Sequence, residues 1–348
     1  MRVLPLRSGG LVLLMLLLAG CTALATEAER QRHEQAGLAI QAVYDAALPE
    51  LPLGKQRHYA QRLYRLTGEA RYLGPNRDYV RRLRGWLERD LAALADPDYA
   101  ARRSRELVEA YSQRTAKQRA RREMFAEWGE MIFARQLLFR LTQAHYYGLL
   151  PALEDHERGL AYLASVDWHA FFTDPDVLGI YAAQVANQVH YLHQLGIADL
   201  RREVTEAFRQ RYPPGSAATL DRTEYRNRLY GMTHFVIAAS RYYQQPVSAE
   251  EFAWVLEAFE ADIEAILARA TEDILAEVAL SFLLAGREAH PVVSRVRDAL
   301  VAAVDPRAGI IPSPQGSLDL ESGEHRNVLA IMVLRWPGRL HASMSSAQ

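Results

Sequence analysis

The chain carries no sustained alternation of apolar and polar residues; helical spacing recurs instead. The pattern is clearest in the second half. Residues 179–195 are apolar on most sides, and 197–212 carry one stripe of Leu200, Val204, Ala207 and Phe208. Residues 229–243 are apolar nearly all round, and the stripe Phe252, Val255, Leu256, Phe259, Ile263 and Ile266 follows. Residues 274–284 are again apolar on every side, followed by the stripe Val292, Val293, Val296, Leu300 and Val304, and the chain closes on the apolar run Val328 to Leu334. A helix apolar all round is buried, and one with a single stripe packs outside it. Alternation of the two every roughly 40 to 50 residues marks stacked helical hairpins. The loops at Gly196, 244–247 and 286–290 are short enough to make antiparallel neighbours. This predicts an all-α fold of helical hairpins, either an α/α toroid (incomplete or of six pairs) or a helical solenoid, with an irregular bundle as the alternative.

Helix starts support the reading. Asp96-Pro97 and Asp174-Pro175 each set a capping carboxylate before a proline suited to the first helical position. Ser248 to Glu251 and Asp221 to Glu224 fit the capping box. Helices are predicted near 27–47, 55–67, 77–95, 97–112, 114–147, 151–165, 175–195, 197–212, 222–243, 249–268, 271–285, 291–304 and 323–335. The polar, arginine-rich region 27–170 and the hairpin region 171–340 read as one continuous domain, with a flexible tail at 341–348.

The first residues break the pattern. Arg2 and Arg7 precede the apolar run Leu11 to Leu18, which is short for a membrane span. Leu18-Ala19-Gly20-Cys21 resembles the bacterial lipobox, which implies a signal peptide over 1–20, cleavage before Cys21 and acylation of that cysteine. An uncleaved anchor or an ordinary signal peptide is the alternative. Resemblance to enteric lipoproteins implies, from Thr22 in place of Asp, sorting to the outer membrane facing the periplasm. Residues 21–26 would be a short tether, holding the helical body near the membrane. Loss of Arg2 and Arg7 takes the net charge from −1 to −3, and Cys21 is the sole cysteine of the 348 residues. The folded part therefore has no disulfide and no thiol nucleophile, and nothing in the charge points to nucleic acid. Between Arg77 and Arg122 there are 13 Lys or Arg against 7 Asp or Glu, and between Glu250 and Glu288 there are 2 against 10. Solvated helix faces explain this asymmetry, or it steers an acidic polymer or membrane surface to one side.

No strong catalytic motif is present, so the candidates are polar residues where burial is expected. Asn227, Tyr230 and His234 share one face of 222–243, with Arg226 one turn before Tyr230. Glu277 is the one charge in an apolar helix body, where burial suits a general acid or a salt bridge, and Asp273 lies nearer that helix's start. The loop 305–327 leads into the last helix. If Ser322 caps it, His325, Arg326 and Asn327 sit in its first turn, where the helix attracts anions. Gln184, Asn187, Gln188, His190 and His193 form a weaker set; no third ligand joins the two histidines, so neither a metal nor another cofactor is expected. Parallel inner helices would bring these groups together at one mouth.

The second half resembles the helical toroids of polysaccharide lyases and glycoside hydrolases, on its hairpins, Gly231 to His234, Glu277 and Glu324 to Asn327. It also resembles uncharacterised bacterial helical domains. The resemblance implies a site for a polysaccharide. A lyase would use His234 or His325 as base, Tyr230 as acid, and Arg226, Arg326 or Asn227 to neutralise a carboxylate. A hydrolase would pair Glu277 with Asp319 or Glu324. The competing expectation is a non-catalytic envelope lipoprotein that binds a glycan or a protein partner as an accessory or assembly factor.

Overall fold

Two capping carboxylates start helices as their sequences promise. Asp174 accepts the amides of Asp176 and Val177, ahead of Pro175. Asp221 accepts those of Thr223 and Glu224, and the Glu224 side chain takes the Asp221 N–H in return. In the computed structural model, the backbone is described from residue 9 to 342 and the side chains from 27 to 342. The expected signal peptide, Cys21, the tether, and tail residues 343–348 lie outside the residues described in full.

Among the described residues every regular element is helical. The order is α1 (Gly9–Ala47), α2 (Leu53–Thr67), α3 (Leu73–Ala93), α4 (Tyr99–Glu109), α5 (Ala116–Glu127), α6 (Met131–Tyr146), α7 (His156–Ser165) and α8 (Trp168–Thr173). It continues with α9 (Pro175–Gln194), α10 (Arg201–Arg211), α11 (Arg222–Ala239), α12 (Ala253–Ala261), α13 (Ile263–Arg269), α14 (Glu272–Leu284), α15 (Pro291–Ala303) and α16 (Leu320–Leu334). No helix among the described residues is long and apolar enough to cross a membrane.

The most buried helices form a ring. α6 packs on α9, α9 on α11, α11 on α14, α14 on α16, and α16 on α2. α3 lies against both α2 and α6, and Arg57 of α2 reaches Gln143 of α6 (3.3 Å). Outside the ring, α1 covers α16 and α15, α10 covers α9, and α15 covers α14. The apolar helices of the sequence pattern are thus the inner ones. Their starts share one end: Asn227 meets the Leu178 carbonyl, Tyr230 meets Asp273, and Lys55 meets Glu324.

Several boundaries differ from expectation. The stretch 114–147 is two helices parted by Gly129 in left-handed backbone (φ 53°), and Thr115 caps the first with Gln118. The stretch 249–268 breaks at Asp262. α4 starts at Tyr99 because Asp96 Oδ1 takes the Asp98 N–H and makes a turn instead of a cap. α16 is capped by Asp319, not Ser322, so His325, Arg326 and Asn327 lie in its second turn. There the positive helix end acts on them less. α11 stops at Ala239, and Arg241, Tyr242 and Tyr243 all take left-handed backbone (φ 51°, 55° and 69°). α8 was not foreseen; its Trp168, Phe171 and Phe172 are buried.

Candidate functional site

Gly231 lets α11 sit close to α10 and α9. A Cβ there would fall 2.4 Å from the Phe208 ring and 3.0 Å from Ala182. One turn later His234 faces the ring interior. Its Nδ1 lies 2.9 Å from Asn187 Oδ1 on α9, and its Nε2 lies 3.4 Å from Glu277 Oε1 on α14. Glu277 is 1% exposed, and its other oxygen accepts the Thr233 hydroxyl (2.7 Å). A carboxylate so placed orients an imidazole; it does not itself reach a ligand.

His325 approaches the same carboxylate from α16. Its Nε2 is 3.8 Å from Glu277 Oε1, and its Nδ1 is 3.8 Å from Asp273 Oδ2. Both spans exceed a hydrogen bond, so the ring can turn toward a ligand. Burial lowers its pKa, against the pull of Glu277 and Asp273. The His325 ring stacks on His58 of α2, centroids 5.3 Å apart. His58 Nδ1 lies 2.6 Å from Glu324 Oε1, and Lys55 Nζ lies 3.5 Å from the second oxygen. Burial first, then Arg62, His325, Arg57 and Lys55, holds His58 well below the usual histidine range. With Nδ1 on a carboxylate, the Nε2 lone pair is left open. Burial pushes the Glu324 carboxyl up, against Lys55, Arg62 and His325.

His58, His234 and His325 line one cavity of about 220 Å³ inside the ring, with Arg57, Arg62 and Arg241 on its remaining wall. Among the described residues no Asp or Glu lines it; the carboxylates stand behind the imidazoles. A larger groove of about 920 Å³ lies outside the ring along α10, and of the ring's histidines it takes only His190. Its charges alternate in sign along a solvated face, and it brings no catalytic grouping together.

One turn above His234, the Tyr230 hydroxyl donates to Asp273 and burial raises its pKa well above that of free tyrosine. Burial would raise Asp273, but His325, Thr271, Tyr230 and Arg326 hold it below the ordinary aspartate range. Lys117 lies over the Tyr230 ring, 5.0 Å from its centroid. Loss of water around it and the nearby Arg121 bring its pKa down to about 8, against Asp273 and Glu277.

Other residues singled out in the sequence go elsewhere. The Asn227 amide donates to the Leu178 carbonyl (2.8 Å) and Tyr212 (2.9 Å), tying α11 to α9. Arg226 Nε donates to the Arg269 carbonyl (3.0 Å), and Arg326 donates to that of Ile311 (3.3 Å). Asn327 bonds both the N–H and the carbonyl of Ile311, so it pins the loop ahead of α16. Asp319 is a helix cap, and Glu324 faces His58. Gln184 accepts Arg121, and His193 lies 3.8 Å from Asp199, so the weaker set is dispersed. Among the described residues no three His, Cys, Asp or Glu side chains are grouped to hold a metal.

Sequence reasoning missed Arg57, His58, Arg62 and Lys117. The first three share a face of α2, but in so polar a helix that face reads as solvated. The one signal available was the need of Glu324 for a buried partner.

The family described as Domain of unknown function (DUF3541) matches residues 33–348. The chain belongs to that family. The match includes every residue of the cavity wall and every carboxylate behind it. No curated protein and no solved structure matches the chain.

Proposed function

We propose that this DUF3541 chain is an exported lipoprotein, anchored through Cys21 at the outer membrane facing the periplasm, whose central cavity acts on a sugar unit of an envelope polysaccharide. The lipobox residues Leu18 to Cys21 support the anchor. The observation that carries the activity is the cavity wall, with three imidazoles in front, each with a carboxylate behind it, and no carboxylate exposed to a ligand among the described residues. A glycoside hydrolase needs two carboxylates flanking the bond, and Glu277, Asp319 and Glu324 do not provide that arrangement. Imidazole chemistry suits β-elimination instead.

His325 is the base in this reading. In its neutral form it takes the proton at C5 of a uronate ring. The C–H electron pair forms the C4=C5 double bond, the C4–O bond breaks, and the leaving oxygen recovers the proton from His325. Glu277 and Asp273 stabilise the imidazolium between the two steps. Tyr230, the acid expected from sequence, is held on Asp273 away from the cavity wall. His234, held between Asn187 and Glu277, is a positioning residue.

The test is turnover of uronate-containing polymers, read by the ultraviolet absorbance of the new conjugated double bond. His325→Ala is expected to lower it by about 10²- to 10⁴-fold with the helical circular dichroism unchanged. Binding of the polymers without any product from the unaltered chain overturns the elimination and leaves a non-catalytic glycan-binding lipoprotein.

A further inference from the structure

Arg62 of α2 is 6% exposed, and it lines the cavity. Its partners are neutral. Nη1 donates to the His58 carbonyl (3.1 Å), and the guanidinium lies against Tyr243, 5.3 Å from the ring centroid and hydrogen-bonded to the phenol. Its Nε has no partner. Among the described residues no carboxylate lies within 4.0 Å of it; the oxygens of nearby Glu324 face His58 and Lys55. A guanidinium removed from water is costly unless an anion faces it. Arg57, half-buried beside it, also has neutral partners: Nη1 is shared between Gln61 (3.1 Å) and Gln143 (3.3 Å), and the buried Nε has no partner.

The opposite rim points the same way. Arg241 reaches the cavity wall from a turn of three successive left-handed residues, a conformation that non-glycine residues avoid. The turn is held because Arg65 donates twice to the Tyr243 carbonyl (3.1 and 2.6 Å) and the Tyr243 N–H donates to Ser240 Oγ (2.9 Å). Three cations thus face one cavity that has no acid on its wall.

We propose that Arg62, with Arg57 and Arg241, is an anion subsite that takes the carboxylate of a sugar acid. Planar guanidinium matches a carboxylate through two parallel N–H donors, and the Gln and Tyr side chains around it suit hydroxyl groups. This deepens the functional reading, because it names the residues that hold the carboxylate of the ligand and rests on the same cavity being the ligand site. It does not depend on any elimination.

The experiment is thermal unfolding and calorimetric titration of the full chain in detergent, with glucuronate, glucose and sodium sulfate as probes. Glucuronate is expected to raise the unfolding midpoint saturably, while glucose and sulfate at equal concentration leave it in place. Arg62→Gln is expected to weaken glucuronate at least tenfold and, with no ligand present, to leave the midpoint unchanged or raised, since it removes a buried charge that no carboxylate touches. Arg62→Lys should recover only part of the affinity. Should Arg62→Gln not fold, Arg57→Gln and the titration of the unaltered chain carry the test. The subsite is overturned if glucuronate neither binds nor stabilises, if sulfate matches it, or if Arg62→Gln lowers the ligand-free midpoint with affinity intact. Glucuronate binding without polymer turnover supports the subsite and sinks only the elimination; turnover insensitive to Arg62→Gln does the reverse.

Discussion

On α11 and α16 the cavity meets imidazoles with buried carboxylates behind them; on α2, beside His58, it meets guanidiniums that no carboxylate touches. His234 and His325 share Glu277, and His58 is held by Glu324. Arg62 has only neutral partners. The first part of the wall has its carboxylates within the protein. The second part is incomplete until something negative arrives. A site that must both hold an anion and move a proton needs both kinds of wall. Here they adjoin: burial foremost, and Arg62 with it, lowers the His325 pKa, and Arg62 acts on nearby Glu324 without contacting it.

The strongest way to break this contrast is to remove the shared carboxylate. Glu277→Ala takes a buried partner from Thr233 and His234, leaving Thr233 the Tyr230 carbonyl and His234 the Asn187 amide. It is expected to cost about 2–4 kcal/mol in chemical denaturation and to abolish turnover. Glu277→Gln keeps the shape and should recover most of the stability but not the activity. If Glu277→Gln remains fully active, the carboxylate does not serve His325.

A smaller effect lies in pH. The His58 pKa is lowered on folding, so between its folded value and the ordinary value of 6.5 the unfolded chain binds the proton first. Its stabilising contribution is present above 6.5 and is lost as the pH falls below that, with a slope of at most about 1.4 kcal/mol per pH unit. His190, lowered to about 4 by burial foremost, contributes with the same sign. Glu324, whose carboxyl is raised, works oppositely, adding stability as the pH falls from its folded value toward 4.5. Denaturation followed from pH 7 to pH 5, as about two units around the free-histidine pKa, should show a falling stability whose slope is shallower in His58→Gln. An unchanged slope would mean that His58 is not kept neutral by the fold.

The smallest expected effect tests the arginine wall. Arg241→Gly places a glycine at a left-handed position (φ 51°) and relieves about 1 kcal/mol of strain. It should raise the unfolding midpoint slightly while weakening glucuronate. A lower midpoint would show that the Arg241 side chain supports the turn.

Part of this could be read without coordinates. Asp221 and Glu224 announced the start of α11, and the apolar helices announced the ring, because helix caps and apolar periodicity are local and the energies behind them are large. Those same features put Asn227, Tyr230, Asp273 and His325 toward one mouth of parallel inner helices, with His234 and Glu277 one to two turns further in. The reading failed where a polar residue had two possible neighbours. Asn227 and His234 share a face of α11, but near the helix start that face meets Leu178 and Tyr212, and two turns on it meets the cavity.

The sequence by itself determined that the chain would be helical and which helices of its second half would lie inside, because burying apolar surface dominates the energy of each segment. Only the tertiary structure decided where the cavity lies and what lines it: it takes the ends of α6, α9 and α11, with α2 and His325, and not the mouth expected at the inner-helix starts. α2 carries Arg57, His58, Gln61 and Arg62 on a stripe that would suit open water equally well. Nothing local distinguishes a guanidinium facing solvent from one facing a cavity. The difference arises when α16 and α6 close on either side and leave Arg62 with no acid in contact.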